Sequence, residues 1–271
     1  MMNKAILVFD VDGVIRDVGR SYRRAIADTV KHFTWGTFCP TLADIDELKS
    51  EGIWNNDWEA SQELVYRYFE GQGKKREDID LDYQKLVAFF QARYRGVDEN
   101  NWNGYICSEP LLISSSYFEG LTEAGLFWGF FSGAMRPEIA YVLERKLGLS
   151  SPVVVGMEDA PGKPDPTGLL AVVEELEKRH GLPENLPVIY AGDTVGDLYT
   201  VQNARQQRPL RTWVGVGVLP PHVQENDERQ YVYLGKLLEA GAKVVLNSIE
   251  ELSIGATDNE KLFDVLLHQK G

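Results

Sequence analysis

Cysteine is scarce: Cys39 and Cys107 are the only two among 271 residues, and neither sits in a CxxC pattern. That argues against a disulfide framework and suits a reducing compartment. Long apolar runs are missing too, and nothing approaches the roughly 20 residues a membrane-spanning helix needs. The opening Met-Met-Asn-Lys and the short apolar run after it have neither the length nor the cleavage site of a signal peptide. The expectation is a cytoplasmic protein with no membrane partner. Positive charge is in deficit, 28 basic against 41 acidic residues, for a net charge of -13. Such a surface repels phosphate backbones, so no nucleic acid partner is expected. A small phosphorylated metabolite is still admissible if a metal and a few basic groups reverse the field locally. Internal repeats and low-complexity tracts are lacking as well.

What is present is ordinary globular composition, 44% hydrophobic and 25% charged. The length allows one large domain, or a core with a smaller companion. Apolar stripes at helical spacing recur through the first third of the chain. Tyr22, Ala25, Ile26, Val30 and Phe33 form one; Leu42, Ile45 and Leu48 form another, behind a capping box at Thr41 and Asp44. Residues 58–70 and 83–94 continue the pattern, with Asp57 and Asp82 expected as N-caps. No convincing strand falls between 15 and 114. Beyond residue 117 the pattern changes: apolar runs at 126–131, 152–155, 187–191, 212–218 and 243–246 alternate with helical segments at 137–148, 166–181 and 229–241. Runs apolar on both faces and separated by helices predict a doubly wound parallel α/β sheet. Its first strand ends at Phe9, and residues 16–114 are expected to be an inserted helical domain. The core would then be 1–15 and 115–271.

The chemistry-bearing residues cluster at the predicted strand ends, where sites in such sheets lie. Asp10 and Asp12 follow the first strand; two carboxylates at i and i+2 of an extended chain point the same way and invite a hard divalent ion. Ser132-Gly133 closes the second strand with a hydroxyl and an accessible amide, suited to phosphate oxygens. In Gly162-Lys-Pro-Asp-Pro166, two prolines fix the course of the loop and hold Lys163 rigidly. In Val188-Ile-Tyr-Ala-Gly-Asp-Thr-Val-Gly-Asp197, Asp193 ends a strand and Asp197 lies one turn further on. Four patterns in this order, beginning with Phe9-Asp-Val-Asp-Gly-Val-Ile15, resemble the four motifs of the haloacid dehalogenase-like superfamily. The resemblance covers about 1–15 and 115–252, and the insertion is similar to its helical C1 cap of subfamily IA. Gly133 departs from the Asn that often follows the second motif.

The resemblance implies a phosphatase acting on a small phosphomonoester. Asp10 would attack phosphorus and form an aspartyl-phosphate, and Asp12 would protonate the leaving oxygen and later deprotonate water. Mg2+ would be held by Asp10, Asp193 and the Asp12 carbonyl, with Asp197 supporting that shell. Ser132, Gly133 and Lys163 would receive the phosphate oxygens. An acid at position 12 speaks against dehalogenation, because a halide leaves without a proton. Two alternatives stand: a phosphomutase of the β-phosphoglucomutase type, and a non-catalytic binding or regulatory protein on the same fold. In the insertion, Trp54, Asn55 and Asn56 place amides beside an indole, suited to a polar metabolite, whereas a capped helix start explains them equally. Arg16, Arg20, Arg23 and Arg24 read either as a basic edge that draws in an anion or as a solvated helix face. Residues 258–268, rich in Leu and Phe, are expected to dock as a helix on the core or to exchange in a dimer, which leaves monomer and homodimer both open.

Overall fold

Strand β1 (Ile6–Phe9) shows how the molecule is layered, because its side chains belong by turns to two separate apolar clusters. Leu7 and Phe9 join one with Phe118, Phe130, Ile139 and Val216; Ile6 and Val8 join the other with Leu169, Val172, Val201 and Trp213. A strand buried on both faces needs an unbroken apolar run, and each such side chain contributes about 1.5–3 kcal/mol through burial. This computed structural model describes residues 5–54, 56–98 and 101–252.

The remaining strands are β2 (Phe127–Phe131), β3 (Val154–Val155), β4 (Val188–Gly192), β5 (Trp213–Val218) and β6 (Val244–Leu246), all parallel, in the order β3-β2-β1-β4-β5-β6. The fold is therefore a doubly wound parallel α/β sheet. The sense of winding reverses at β1, so the ends of β2, β1 and β4 open side by side.

The helices, numbered along the chain, are α1 (Tyr22–Phe33), α2 (Leu42–Lys49), α3 (Asp57–Gly71), α4 (Tyr83–Tyr94), α5 (Ser115–Glu123), α6 (Arg136–Ala140), α7 (Thr167–His180), α8 (Val195–Gln207) and α9 (Asp227–Glu239). The segment expected at 137–148 is α6 continued by a wider π-helical turn, Tyr141–Lys146. Among the described residues no helix is long and apolar enough to cross a membrane. The helix expected at 258–268 lies outside the described residues.

The chain divides into two compact units, Met1–Asp17 with Leu111–Gly271, and Val18–Pro110. Arg16, Asp17 and residues 111–114 thus belong to the first unit. There Arg16 bridges Leu111, and the Leu112 N–H donates to the Ile15 carbonyl at 2.9 Å. In the second unit α1 packs on α3 and α4; Ala25, Ile26, Val30, Ala60, Leu64, Leu86 and Phe90 of these helices are buried, and no strand occurs among its described residues. The Thr41–Asp44 capping box forms, and Asp82 caps α4. Asp57 does not cap α3. Asn56 does so, accepting from the Trp58 and Glu59 amides, while Asp57 pairs with Lys49 at 2.8 Å. An amide oxygen caps as well as a carboxylate does, and spacing alone does not separate neighbouring candidates.

Candidate active site

Three strand ends supply the site. Asp10 follows β1, Ser132 follows β2 and Asp193 follows β4, each one residue beyond its strand. The register pairing Phe9 with Phe130 and with Ala191 keeps those ends level. The loop before α7 adds Lys163. Its carbonyl at Pro164 accepts from the Asn203 side chain at 3.0 Å, which ties the loop to α8.

Lys163 joins the pieces. Its buried ammonium lies 2.9 Å from Asp10 Oδ1 and 2.6 Å from Asp197 Oδ1, over the rings of Phe131 and Tyr190. Asp197 has two tasks. Its Oδ2 accepts from the Thr194 amide (3.0 Å) and hydroxyl (2.6 Å), capping α8, while Oδ1 faces Lys163 and accepts from the Tyr190 hydroxyl at 2.8 Å. Burial alone would raise the Asp197 carboxyl, but Lys163, Thr194 and Tyr190 together hold it below the usual carboxylate value. Asp10 has fewer donors, Lys163 and the Val11 amide at 2.7 Å. Burial therefore pushes it up to about 7; Lys163 opposes the rise, and the charges of Asp197 and Asp12 add to it. Burial would lower the Lys163 ammonium, and the two carboxylates outweigh that and raise it above an ordinary lysine.

The residues fit a metal ion. Asp10, Asp193 and Asp197, all buried, each bring one carboxylate oxygen, and these oxygens lie within 4.8 Å of one another. Three buried carboxylates beside one lysine leave an excess of negative charge, the condition a hard divalent cation with oxygen ligands relieves. Gly13 keeps the space open: at φ +74°, a methyl group there would collide with the Asp193 carboxylate. Gly192 does the same beside Asp197.

Asp12 differs from the expectation that it would point with Asp10 into one volume. The strand ends at Phe9 and the chain turns, with the Ile15 amide donating to the Val11 carbonyl at 2.8 Å, so alternation along an extended chain no longer applies. The Asp12 side chain meets Arg16 instead, at 2.6 Å from Nε and 2.5 Å from Nη2. The side-chain carboxylate grouped with Asp10 and Asp193 is that of Asp197. Ser132 is buried and its hydroxyl accepts from the Ala134 amide at 3.1 Å; Gly133 has open space where a side chain would stand.

Of the basic residues after the first motif, Arg16 and Arg23 are fully buried and paired with Asp12 and Asp46, whereas Arg20 and Arg24 are exposed. They form neither a basic edge nor a solvated face. In the second unit Trp54 donates to Glu51 at 2.7 Å and the Asn56 side-chain oxygen caps α3; Asn55 lies outside the described residues. Tyr190 went unnoticed in the sequence, where it reads as one more apolar residue of β4; a hydroxyl inside a buried strand was the available signal, since buried tyrosines find partners.

A family model for haloacid dehalogenase-like hydrolases matches residues 4–205. The chain is 32% identical over 248 residues to an imidazoleglycerol-phosphate dehydratase from Phytophthora nicotianae, covering 89% of this chain and 49% of that protein. It thus spans about half the length of this curated relative. Among solved structures, a phosphonoacetaldehyde hydrolase-like protein from Oleispira antarctica has a TM-score of 0.66 at 18% identity, covering 98% of this chain and 95% of that one. Phosphatase Tt82 from Thermococcus thioreducens has a TM-score of 0.56 at 22% identity, covering 85% and 99%. A structure described as a β-phosphoglucomutase from Thermotoga maritima has a TM-score of 0.55 at 17% identity, covering 97% and 100%. At these identities the structural likeness speaks for the fold alone.

Proposed function

The chain belongs to the haloacid dehalogenase-like hydrolase family, and from that premise we propose that it is a Mg2+-dependent phosphatase of a small phosphorylated metabolite. One observation carries the reading: the buried Lys163 ammonium bridges Asp10 and Asp197 beside Asp193. A carboxylate held against a fixed cation, in a site short of positive charge, suits attack on a phosphoryl group rather than a structural role.

In this reading Asp10 is the nucleophile. Its carboxylate oxygen bonds to phosphorus as the ester bond breaks, giving an aspartyl-phosphate. Asp12 gives its proton to the leaving oxygen, then takes one from the water that cleaves the intermediate and releases Asp10. Lys163 stays beside Asp10 as its negative charge passes to the transferred group, and Asp197 and Tyr190 hold that ammonium in place. The Ser132 hydroxyl and the Gly133 amide bind phosphate oxygens. Asp10 and Asp193 with the Asp12 carbonyl would hold Mg2+, Asp197 in support; once bound, the ion screens carboxylate from phosphate and stabilises charge on the transferred group. The second unit, Val18–Pro110, supplies the specificity residues, with Trp54, Asn55 and Asn56 as candidates.

The curated relative narrows the substrates worth trying. Its name denotes an enzyme acting on an imidazole-bearing phosphate ester, and this chain matches only about half of it. Imidazole-bearing phosphomonoesters therefore belong in the panel beside sugar phosphates, phosphoglycolate and nucleotides. The test is phosphate release from this panel with Mg2+ or with EDTA. A preferred, metal-dependent substrate that Asp10→Asn does not turn over is the expected result. Phosphate moved between positions of a sugar rather than released would make the chain a mutase, and wild type matching the variant throughout would make it a binding protein.

A further inference from the structure

Arg16 has no part in the chemistry described so far, yet it is fully buried, carries a charge, and ends in contact with the residue assigned the proton. Both contacts, from Nε at 2.6 Å and Nη2 at 2.5 Å, reach the same Asp12 oxygen. The Nε hydrogen bond and the guanidinium charge beside it hold that oxygen against a buried, fixed group. Arg16 is itself fixed. Its carbonyl accepts from the Gly13 amide at 2.9 Å, its amide donates to the Val11 carbonyl at 3.2 Å, and it bridges Leu111 on the returning segment. Gly13, Ile15 and Arg16 thus close the loop that carries Asp12 into a tight turn. An arginine does not exchange protons near neutral pH, so its contribution lies in where it puts the acid.

We propose that Arg16 is the positioning residue for Asp12: it fixes the carboxyl group that, when protonated, hands its proton to the leaving oxygen, and so sets how weakly the reaction depends on leaving-group basicity. The inference rests on the phosphatase reading. In the step concerned, the Asp10 oxygen bonds to phosphorus, the ester bond breaks, and the proton of Asp12 goes to the departing oxygen. An ester whose leaving group departs as a stable anion does not need that proton; one with a basic leaving group does.

The experiment compares phenyl phosphate with p-nitrophenyl phosphate, nearly the same in shape but unlike in leaving-group basicity, using the full chain with Mg2+. Arg16→Lys keeps the charge and loses the Nε donor; Arg16→Met removes both. The readout is kcat/KM for p-nitrophenyl phosphate divided by that for phenyl phosphate in one preparation, a ratio that does not depend on how much of the variant has folded. It should rise by roughly 10-fold or more in Arg16→Lys, toward the value for Asp12→Asn, since positioned proton transfer is worth about 10²–10⁴-fold. In an Asp12→Asn background, Arg16→Lys should move the ratio no further. Equal losses on both esters, or a shift that persists without the Asp12 carboxylate, would overturn the inference while leaving the phosphatase reading intact. Wild type that releases phosphate from neither ester overturns that reading, and the inference with it.

Discussion

Two of the buried groups of charge among the described residues are balanced differently. In the second unit each buried cation has a carboxylate of its own: Arg23 pairs with Asp46, and Lys49 with Asp57 at 2.8 Å, both cations lying near the ring of Tyr22. In the first unit one lysine serves Asp10 and Asp197 while Asp193 stands beside them. Burying charge costs free energy in either place, and pairing offsets it only where charges match. Pairs matched one to one need nothing further; three carboxylates gathered around one lysine suit an additional cation. That difference separates a structural cluster from a candidate site without appeal to any motif.

Removing one carboxylate from each cluster should have opposite effects. Asp10→Asn should lower turnover by roughly 10⁴-fold or more, as removal of a nucleophile does, yet leave the melting temperature of the metal-free protein unchanged or higher, because it relieves repulsion. Asp46→Asn should do the reverse. It strips Arg23 of its carboxylate in a buried place and should cost about 3 kcal/mol of stability, read as an earlier denaturant midpoint. If the two variants lose stability alike, the surplus charge of the site is not real.

The expected effect of adding Mg2+ is the next down in size. Mg2+ at 100 times its Kd should stabilise the wild-type chain by about 2.7 kcal/mol, read as a rise in melting temperature without any substrate. Asp193→Asn should abolish most of that rise. Asp46→Asn, outside the unbalanced cluster, should retain it in full.

The same contrast explains what could be read from the sequence. The parallel sheet was legible because its strands are buried on both faces and so appear as unbroken apolar runs. Asp10, Ser132, Lys163 and Asp193 were legible because a polar residue directly after such a run, or one between two prolines, is a local signal. The balanced pairs were not. Arg23 and Asp46 lie 23 positions apart, and a buried arginine on a helix looks in sequence like a solvated one. The direction of the Asp12 side chain depended on where β1 stops, a matter of a single residue. Tyr190 stayed hidden because its ring suits a buried strand and only its hydroxyl bears on Asp197 and Lys163. What sequence patterns miss here is pairing between residues remote from one another, and that is where the charge balance is decided.

The smallest expected effect bears on the second unit alone. Asn56 carries two readings, a cap for α3 and a contact for a polar metabolite, and its side chain already accepts from the Trp58 and Glu59 amides at 3.0 and 3.4 Å. Asn56→Ala should therefore cost about 1 kcal/mol of stability, the usual value of a lost N-cap, and Asn56→Ser should restore most of it by capping again. Ranking the phosphomonoester panel in all three proteins separates the readings. If the order of substrates is the same in wild type, Asn56→Ala and Asn56→Ser, the residue is a cap and belongs with the balanced, structural side of the molecule. If Asn56→Ser regains stability while the preferred substrate changes, the amide reads the substrate, and the second unit has a chemical task beyond holding its own charges.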